Sequence, residues 1–208
     1  MTSLLLDTIA LCKRDLLRRL EYEGRASTYI HCLSIMLKPS VLSIILYRFK
    51  RYLLLKKLGF LIKPLSLFDS FYSHNELDAR AEIGAGLVLS DLGGTGITRV
   101  AILGKNCTFM GRATLALGAI EGINIAHDKI ILGDACVIGH NVKVIRPVTI
   151  ANYVQIEACA VVIKSIITEG SIVSGIPAKT IGVVSPERMA SYHASLTQAD
   201  YHHSILAV

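Results

Sequence analysis

Residues 132–166 read LGDACV-IGHNVK-VIRPVT-IANYVQ-IEACAV-VIKSI, and an aliphatic residue begins every block. The fifth residue of each block is also small or apolar, and turn-forming residues fall between the two apolar positions. The first positions are Leu132, Ile138, Val144, Ile150, Ile156 and Val162; the fifth positions are Cys136, Val142, Val148, Val154, Ala160 and Ile166.

A period of six fits neither an α-helix nor a flat strand. In an α-helix, residues six apart point about 240° apart, so these aliphatic residues would scatter around the helix. A flat strand has a period of two and needs no glycine at fixed sixth positions, such as Gly133 and Gly139. Short strands joined by turns place one aliphatic residue inward on each side, so the sequence predicts a parallel β-helix.

The same period extends toward the N-terminus in shorter pieces. Ile83-Gly84 is followed by Leu89, six residues after Ile83, and Leu103-Gly104 is followed by Phe109 and Leu115. The period fails between residues 117 and 129, where we expect a protruding loop, and it weakens after Ile172. We therefore predict a β-helical domain over residues 73–183, followed by a C-terminal tail over 184–208.

Residues 1–72 have a helical period instead. Leucines and isoleucines recur at helical spacing up to Gly24, a second apolar run ends at Lys38-Pro39, and a third covers Val41 to Lys57. The first 70 residues hold 12 Lys/Arg and 5 Asp/Glu, whereas the remainder holds 10 and 11. We expect basic helices that contact an anionic surface such as a membrane, or that simply pack with a solvated face.

Composition excludes several classes of protein. Hydrophobic residues make up 52% of the 208 residues, so a large core is available. The basic charge is confined to the first third, which argues against a nucleic-acid-binding protein. The five cysteines lack paired spacing, no set of histidines suits a metal, and no basic segment precedes the first apolar run. We expect reduced thiols, no metal and a cytoplasmic protein.

Three motifs resemble the serine acetyltransferases and the related acetyltransferases of capsule and surface polysaccharides. They are Ile83-Gly84-Ala85-Gly86, the loop ending in His127, and the closing run Ser174-Gly175-Ile176-Pro177-Ala178-Lys179. The resemblance covers about residues 74–183. It implies a left-handed triangular prism, association into a trimer or a dimer of trimers, and direct acetyl transfer from acetyl-CoA to a hydroxyl without a metal.

The resemblance also implies site residues. His127 matches a histidine at the end of the family's loop and would accept the proton of the acceptor hydroxyl. Where the family has an aspartate followed by its principal histidine, this chain has Ser90-Asp91-Leu92. Aligned without a gap, Asp91 stands in place of the histidine; with a gap, Asp91 matches the aspartate and Leu92 stands in place of the histidine. The histidine is missing in both alignments. Glu76 matches the partner acid. Each residue also has a structural interpretation: His127 as a solvated loop residue, Asp91 as a corner residue of the coil and Glu76 as a surface charge.

The positions that would bind CoA follow from the same resemblance. They lie in the loop, at two corners of the repeat and in the closing run: Lys129, Gly139, Ala158, Gly175, Pro177, Ala178 and Lys179. Lys179 would meet the CoA phosphates, or only solvent.

The acceptor is predicted from one departure. The family's arginine before the loop histidine is Ala126 here, and a carboxylate favours a bidentate guanidinium. We therefore expect a saccharide hydroxyl as the acceptor, with serine as the alternative and an inactive β-helical scaffold as a further one.

Overall fold

The computed structural model describes residues 2–25, 29–90, 93–118, 124–191 and 194. Four helices come first: α1 (Thr2–Tyr22), α2 (Tyr29–Met36), α3 (Pro39–Leu55) and α4 (Ile62–Ser73), with a 3-10 helix at Gly59–Leu61 before α4. The predicted break at Lys38-Pro39 is confirmed. The sequence pattern did not separate α4 as a helix of its own, and α3 begins two residues before the predicted Val41.

Short strands follow, and they wind into about five coils. Their bounds are β1 (Glu76–Leu77), β2 (Glu82–Ile83), β3 (Val88–Leu89), β4 (Gly96–Ile97), β5 (Ala101–Leu103), β6 (Thr108–Phe109), β7 (Thr114–Leu115), β8 (Ile130–Leu132), β9 (Val137–Ile138), β10 (Lys143–Val144), β11 (Val148–Ile150), β12 (Gln155–Ile156), β13 (Val161–Val162), β14 (Ser171–Ser174) and β15 (Lys179–Val183). The predicted left-handed parallel β-helix behind a helical region is confirmed.

The strands form the three faces of a prism. The first face has the order β1-β4-β7-β10-β13, the second β11-β8-β5-β2, and the third β15-β14-β12-β9-β6-β3. All pairs are parallel except β14 with β15, which close the prism as an antiparallel pair. We call the edge after the first-face strands the loop edge, and the edge from the third face back to the first the closing edge.

The six-residue period fills the inside of the prism. Both apolar positions of each repeat point inward: Leu132, Ile138, Val144, Ile150, Ile156 and Val162 are at most 2% exposed. Cys107 and Cys136 occupy the other inward position and are buried free thiols. A hydrogen bond to Cys136, together with burial, raises the pKa of Cys107 well above its ordinary value.

The glycines after the aliphatic positions have a steric cause. A Cβ on Gly133 would lie 2.7 Å from the backbone nitrogen of Asn152 in the next coil. On Gly139 it would lie 2.6 Å from the Ile156 carbonyl oxygen. The stacked coils therefore leave no room for a side chain at these corners.

Helices α1 and α3 dock on the lowest coil through a buried ion pair. Arg48 Nε lies 2.9 Å from Asp15 Oδ2, and both side chains are almost fully buried. Arg48 also donates to the carbonyl oxygens of Ile83 and Gly84, and Asp15 accepts from the Gly86 backbone. Among the described residues, no helix is long and apolar enough to cross a membrane.

Candidate active site

The described part of the loop between β7 and β8 forms a turn that presents His127 at the loop edge. The Asn124 carbonyl oxygen accepts hydrogen bonds from the backbone of His127 at 3.0 Å and of Asp128 at 2.7 Å. The Asp128 carboxylate accepts in return from the Asn124 backbone at 2.7 Å, and the Asn124 side chain from Ala126 at 3.0 Å. The turn is fixed by these bonds, and the His127 side chain is exposed to an approaching hydroxyl.

A cleft of about 270 Å³ lies at the base of this loop. Three successive coils form its wall. Backbone hydrogen bonds join them, from the Asp78 N–H to the Ile97 carbonyl and from the Thr98 N–H to the Leu115 carbonyl. Ile125, two residues before His127, also lines it. The cleft carries one cationic and one acidic side chain on a largely apolar floor: Arg99 and Asp78, with Thr98, Val100, Ala116, Leu117 and Ile125.

Arg99 and Asp78 were missed by the sequence analysis. They are 21 residues apart in the chain and belong to no motif. They line the same cleft because of the register of the coils. Glu76 pairs with Gly96, 20 residues later, so Asp78 is stacked below Thr98, the residue before Arg99. Only the register of the coils could have indicated this pairing.

Glu76 lies on the first face of the prism, two coils away from β7, the strand that leads into the loop. It belongs to β1 and is exposed, whereas the loop follows β7, the third strand of the face. At about 4.8 Å per strand the two strands are separated by roughly 10 Å. Within the described ranges no hydrogen bond or ion pair joins Glu76 to His127, and Asp91 lies outside those ranges.

Most predicted CoA-binding positions lie on the opposite edge of the first face. Gly139, Ala158 and Gly175 follow third-face strands, so they stack along the closing edge. The Val161 backbone donates to the Gly175 carbonyl at 3.0 Å, and Ala178 donates to the Val161 carbonyl at 2.8 Å.

The two predicted lysines do not share an edge. Pro177 and Ala178 lie in the turn before β15, and exposed Lys179 begins that strand near the closing edge. Lys129 stands apart, next to β8 at the loop edge. A single chain therefore brings together the closing-edge positions but separates them from His127 and Lys129.

The fold is that of the hexapeptide-repeat acetyltransferases. Three solved structures with this architecture are serine acetyltransferases, although identities this low establish only the fold. That of Neisseria gonorrhoeae is 23% identical with a TM-score of 0.76, covering 86% of this chain and 68% of that one. Two structures are of the Brucella abortus protein, one (19%, TM-score 0.72, covering 84% and 69%) and another in complex with coenzyme A (19%, TM-score 0.74, covering 84% and 68%).

Sequence comparison gives the family. The chain is 30% identical over 148 residues to the serine acetyltransferase of Helicobacter pylori strain J99, covering 71% of this chain and 84% of the relative. The protein of strain 26695 matches equally. No protein-family model matches the chain. The chain belongs to the serine acetyltransferase family, and it is an O-acetyltransferase rather than an inactive scaffold.

Proposed function

We propose that this chain transfers the acetyl group of acetyl-CoA to the hydroxyl of L-serine. The similarity to two proteins named serine acetyltransferase carries the proposal, and it favours serine over the saccharide hydroxyl that the sequence analysis preferred. A solved structural neighbour was determined in complex with serine. The cleft at the loop edge adds support, because it offers a partner of each charge.

His127 is the proposed general base. An imidazole can accept the proton of a hydroxyl near neutral pH while the oxygen attacks the thioester carbonyl. The resulting tetrahedral intermediate collapses, the C–S bond breaks, and the proton returns from the imidazolium to the CoA sulfur. The products are O-acetylserine and CoA, and no group on the protein is acetylated.

Arg99 and Asp78 are the proposed partners of the serine backbone groups. The Arg99 guanidinium can hold a carboxylate through two parallel hydrogen bonds, and the Asp78 carboxylate can accept from an ammonium. Arg99 would then supply the positive charge that Ala126 cannot. Ile125 connects this cleft to the turn that presents His127.

Acetyl-CoA is the proposed donor, bound along the closing edge. Gly139, Ala158 and Gly175 place small residues along this edge, and Lys179 provides a cation for phosphate. We also propose a homotrimer, in which the loop edge of one chain faces the closing edge of the next. That arrangement would bring His127 and Lys129 to the donor, and Glu76 or Asp91 could orient the imidazole.

The acceptor is tested by measuring CoA release with matched hydroxyl compounds. L-Serine should saturate the enzyme, whereas ethanolamine lacks the carboxylate and 3-hydroxypropionate lacks the ammonium. Each truncated compound should lower kcat/KM by about a hundredfold, the effect of losing one charged hydrogen-bonding partner. Equal rates with all three, or release stimulated only by sugars, would contradict the proposal.

The base is tested by His127→Ala, which should lower kcat by about a hundredfold or more. His31→Ala in α2 is the matched control and should leave kcat unchanged.

The acceptor site is tested by Arg99→Gln, which should raise the KM for serine about tenfold or more with little change in kcat. Arg80→Gln, outside the cleft, is its control. An Arg99→Gln enzyme with normal KM would remove Arg99 from the acceptor site.

A saccharide hydroxyl is the second candidate acceptor. It is favoured by Ala126, which removes the guanidinium that the family places beside its loop histidine. N-Acetylglucosamine and a glycolipid acceptor in the same assay distinguish it from serine.

A further inference from the structure

Helix α4 buries polar residues and exposes large apolar ones, which is unusual for a helix on a protein surface. Its inward side carries Asp69 and Ser73, both buried. Its outward side carries Leu67, Phe68 and Phe71, which are 74%, 52% and 84% exposed. A surface helix normally shows the opposite distribution, with its apolar stripe on the core.

Buried polar contacts hold α4 in this orientation. Lys50 of α3 places its Nζ 2.9 Å from Asp69 Oδ2, and both side chains are at most 2% exposed. The Ser73 hydroxyl donates to Asp69 Oδ1 at 2.8 Å. Rotating α4 to bury its phenylalanines would leave the Lys50 and Asp69 charges unpaired, which is strongly unfavourable. The apolar side is therefore fixed toward solvent.

The exposed apolar area extends beyond α4. Tyr72 stacks on Phe68 with ring centroids 6.0 Å apart, and its hydroxyl donates to the Leu37 carbonyl at 3.2 Å. Leu37 and, in the 3-10 helix directly before α4, Phe60 are 70% and 74% exposed. We call this set the apolar surface: Leu37, Phe60, Leu67, Phe68, Phe71 and Tyr72.

Exposed cations lie beside the apolar surface. Residues 24–68 contain eight Lys/Arg and no Asp/Glu; of these, Arg48 and Lys50 are buried in ion pairs and Lys38 pairs with Glu23. Lys57 and Lys63 are exposed, and Lys63 lies one turn before Leu67 on α4. Exposed apolar area beside exposed cations is the pattern of a segment that binds an anionic lipid surface.

We propose that the apolar surface docks on an anionic membrane face. The phenylalanines and leucines would enter the acyl boundary while Lys57 and Lys63 meet lipid phosphates. The twelve residues of α4 extend about 18 Å, short of the roughly 30 Å hydrocarbon core, so the helix lies along the membrane. A second copy of this chain is a poorer occupant, because two such surfaces would bring cations against cations.

The inference is independent of the acceptor hydroxyl. It rests on the exposed side chains of α4 and the residues around it, none of which is assigned to the acceptor site or the donor site. A loss of acetyl transfer and a loss of membrane binding are therefore measured separately.

The test is cosedimentation of the full chain with vesicles of phosphatidylcholine, with and without phosphatidylglycerol. The chain should bind the anionic vesicles, and Phe68→Ser/Phe71→Ser should lower the partition coefficient by about tenfold or more. The matched control is Ile167→Ser/Ile181→Ser, which removes two isoleucines that are 81% and 65% exposed on the β-helix. That control should bind as the unchanged chain does.

A second variant separates charge from apolar contact and does not depend on the phenylalanines. Lys57→Gln/Lys63→Gln should weaken binding about tenfold or more at low salt, and added salt should weaken binding of the unchanged chain. Equal binding to neutral vesicles, no binding to either kind, or unaltered binding by both double variants would overturn the proposal. So would sedimentation showing that Phe68→Ser/Phe71→Ser dissociates an oligomer while vesicle binding persists.

Discussion

The interior of the β-helix is apolar, whereas the helical region buries two ion pairs beside an apolar cluster of Leu20, Ile35 and Val41. Inside the prism, aliphatic side chains such as Ile138 and Val144 stack coil upon coil with almost no exposure. In the helical region, the Arg48–Asp15 and Lys50–Asp69 pairs are buried while Phe71 faces solvent. The prism is stabilised by repeated apolar burial, which is nondirectional, whereas the helices are oriented by a few charged pairs that tolerate only one geometry.

The largest effect is expected where the two regions meet. Asp15→Ala would leave Arg48 buried without its carboxylate and remove the acceptor for the Gly86 and Leu87 backbone N–H groups. We expect the free energy of unfolding to fall by about 3–5 kcal/mol, the cost of breaking a buried ion pair. Chemical denaturation followed by circular dichroism measures it.

Asp7→Ala is the matched control, because Asp7 lies on the same helix and is exposed. It should change the free energy of unfolding by less than about 0.5 kcal/mol. If Asp15→Ala were equally mild, the helices would be held on the prism by apolar contacts, and the contrast between the two regions would disappear.

The next effect tests the prism itself. Gly133→Ala would place a Cβ 2.7 Å from the Asn152 nitrogen, so adjacent coils must separate. We expect a loss of about 1–3 kcal/mol in the free energy of unfolding, as for overpacked cores. Gly59→Ala, where a Cβ meets nothing within 4 Å, is the control and should be neutral or slightly stabilising. Equal effects at both glycines would mean that the coils are not tightly stacked.

The contrast also explains how far the sequence could predict the structure. The period of six from Leu132 to Val162 reflects one inward position per strand, so it predicts the β-helix without tertiary information. The orientation of α4 could not be predicted, because Lys50 and Asp69 pair across two helices and override the apolar pattern. The sequence of α4 is mainly apolar, and only the Lys50–Asp69 pair in the structure shows that the buried side of the helix is polar.

The candidate site divides in the same way. His127 was predicted because a local motif carries it, and the structure presents it at an exposed turn. The Arg99 and Asp78 cleft was not predicted, because it depends on which residues the coils stack above each other. Glu76 and Asp91 stay predictions, since no described contact joins Glu76 to His127 and Asp91 lies outside the described residues.

The smallest effect is the pH dependence of stability that Cys12 adds in the helical region. Burial, together with the negative charge of Asp15, raises the pKa of Cys12 from 9.0 to about 11. The folded chain therefore holds this proton more tightly than the unfolded chain. The stability that it contributes is complete below pH 9 and is lost as the pH rises toward 11.

Denaturation of the unchanged chain, Cys12→Ala and Cys159→Ala between pH 8 and 11 measures this loss. Cys12→Ala should show a smaller decline in the free energy of unfolding over that range, while Cys159→Ala, at an exposed corner of the prism, should follow the unchanged chain. Because Asp15 lies beside Cys12, the same decline should also shrink in Asp15→Ala. A decline that is identical in all four proteins would show that α1 does not shield Cys12, and that the charged contacts between helices and prism are open to water.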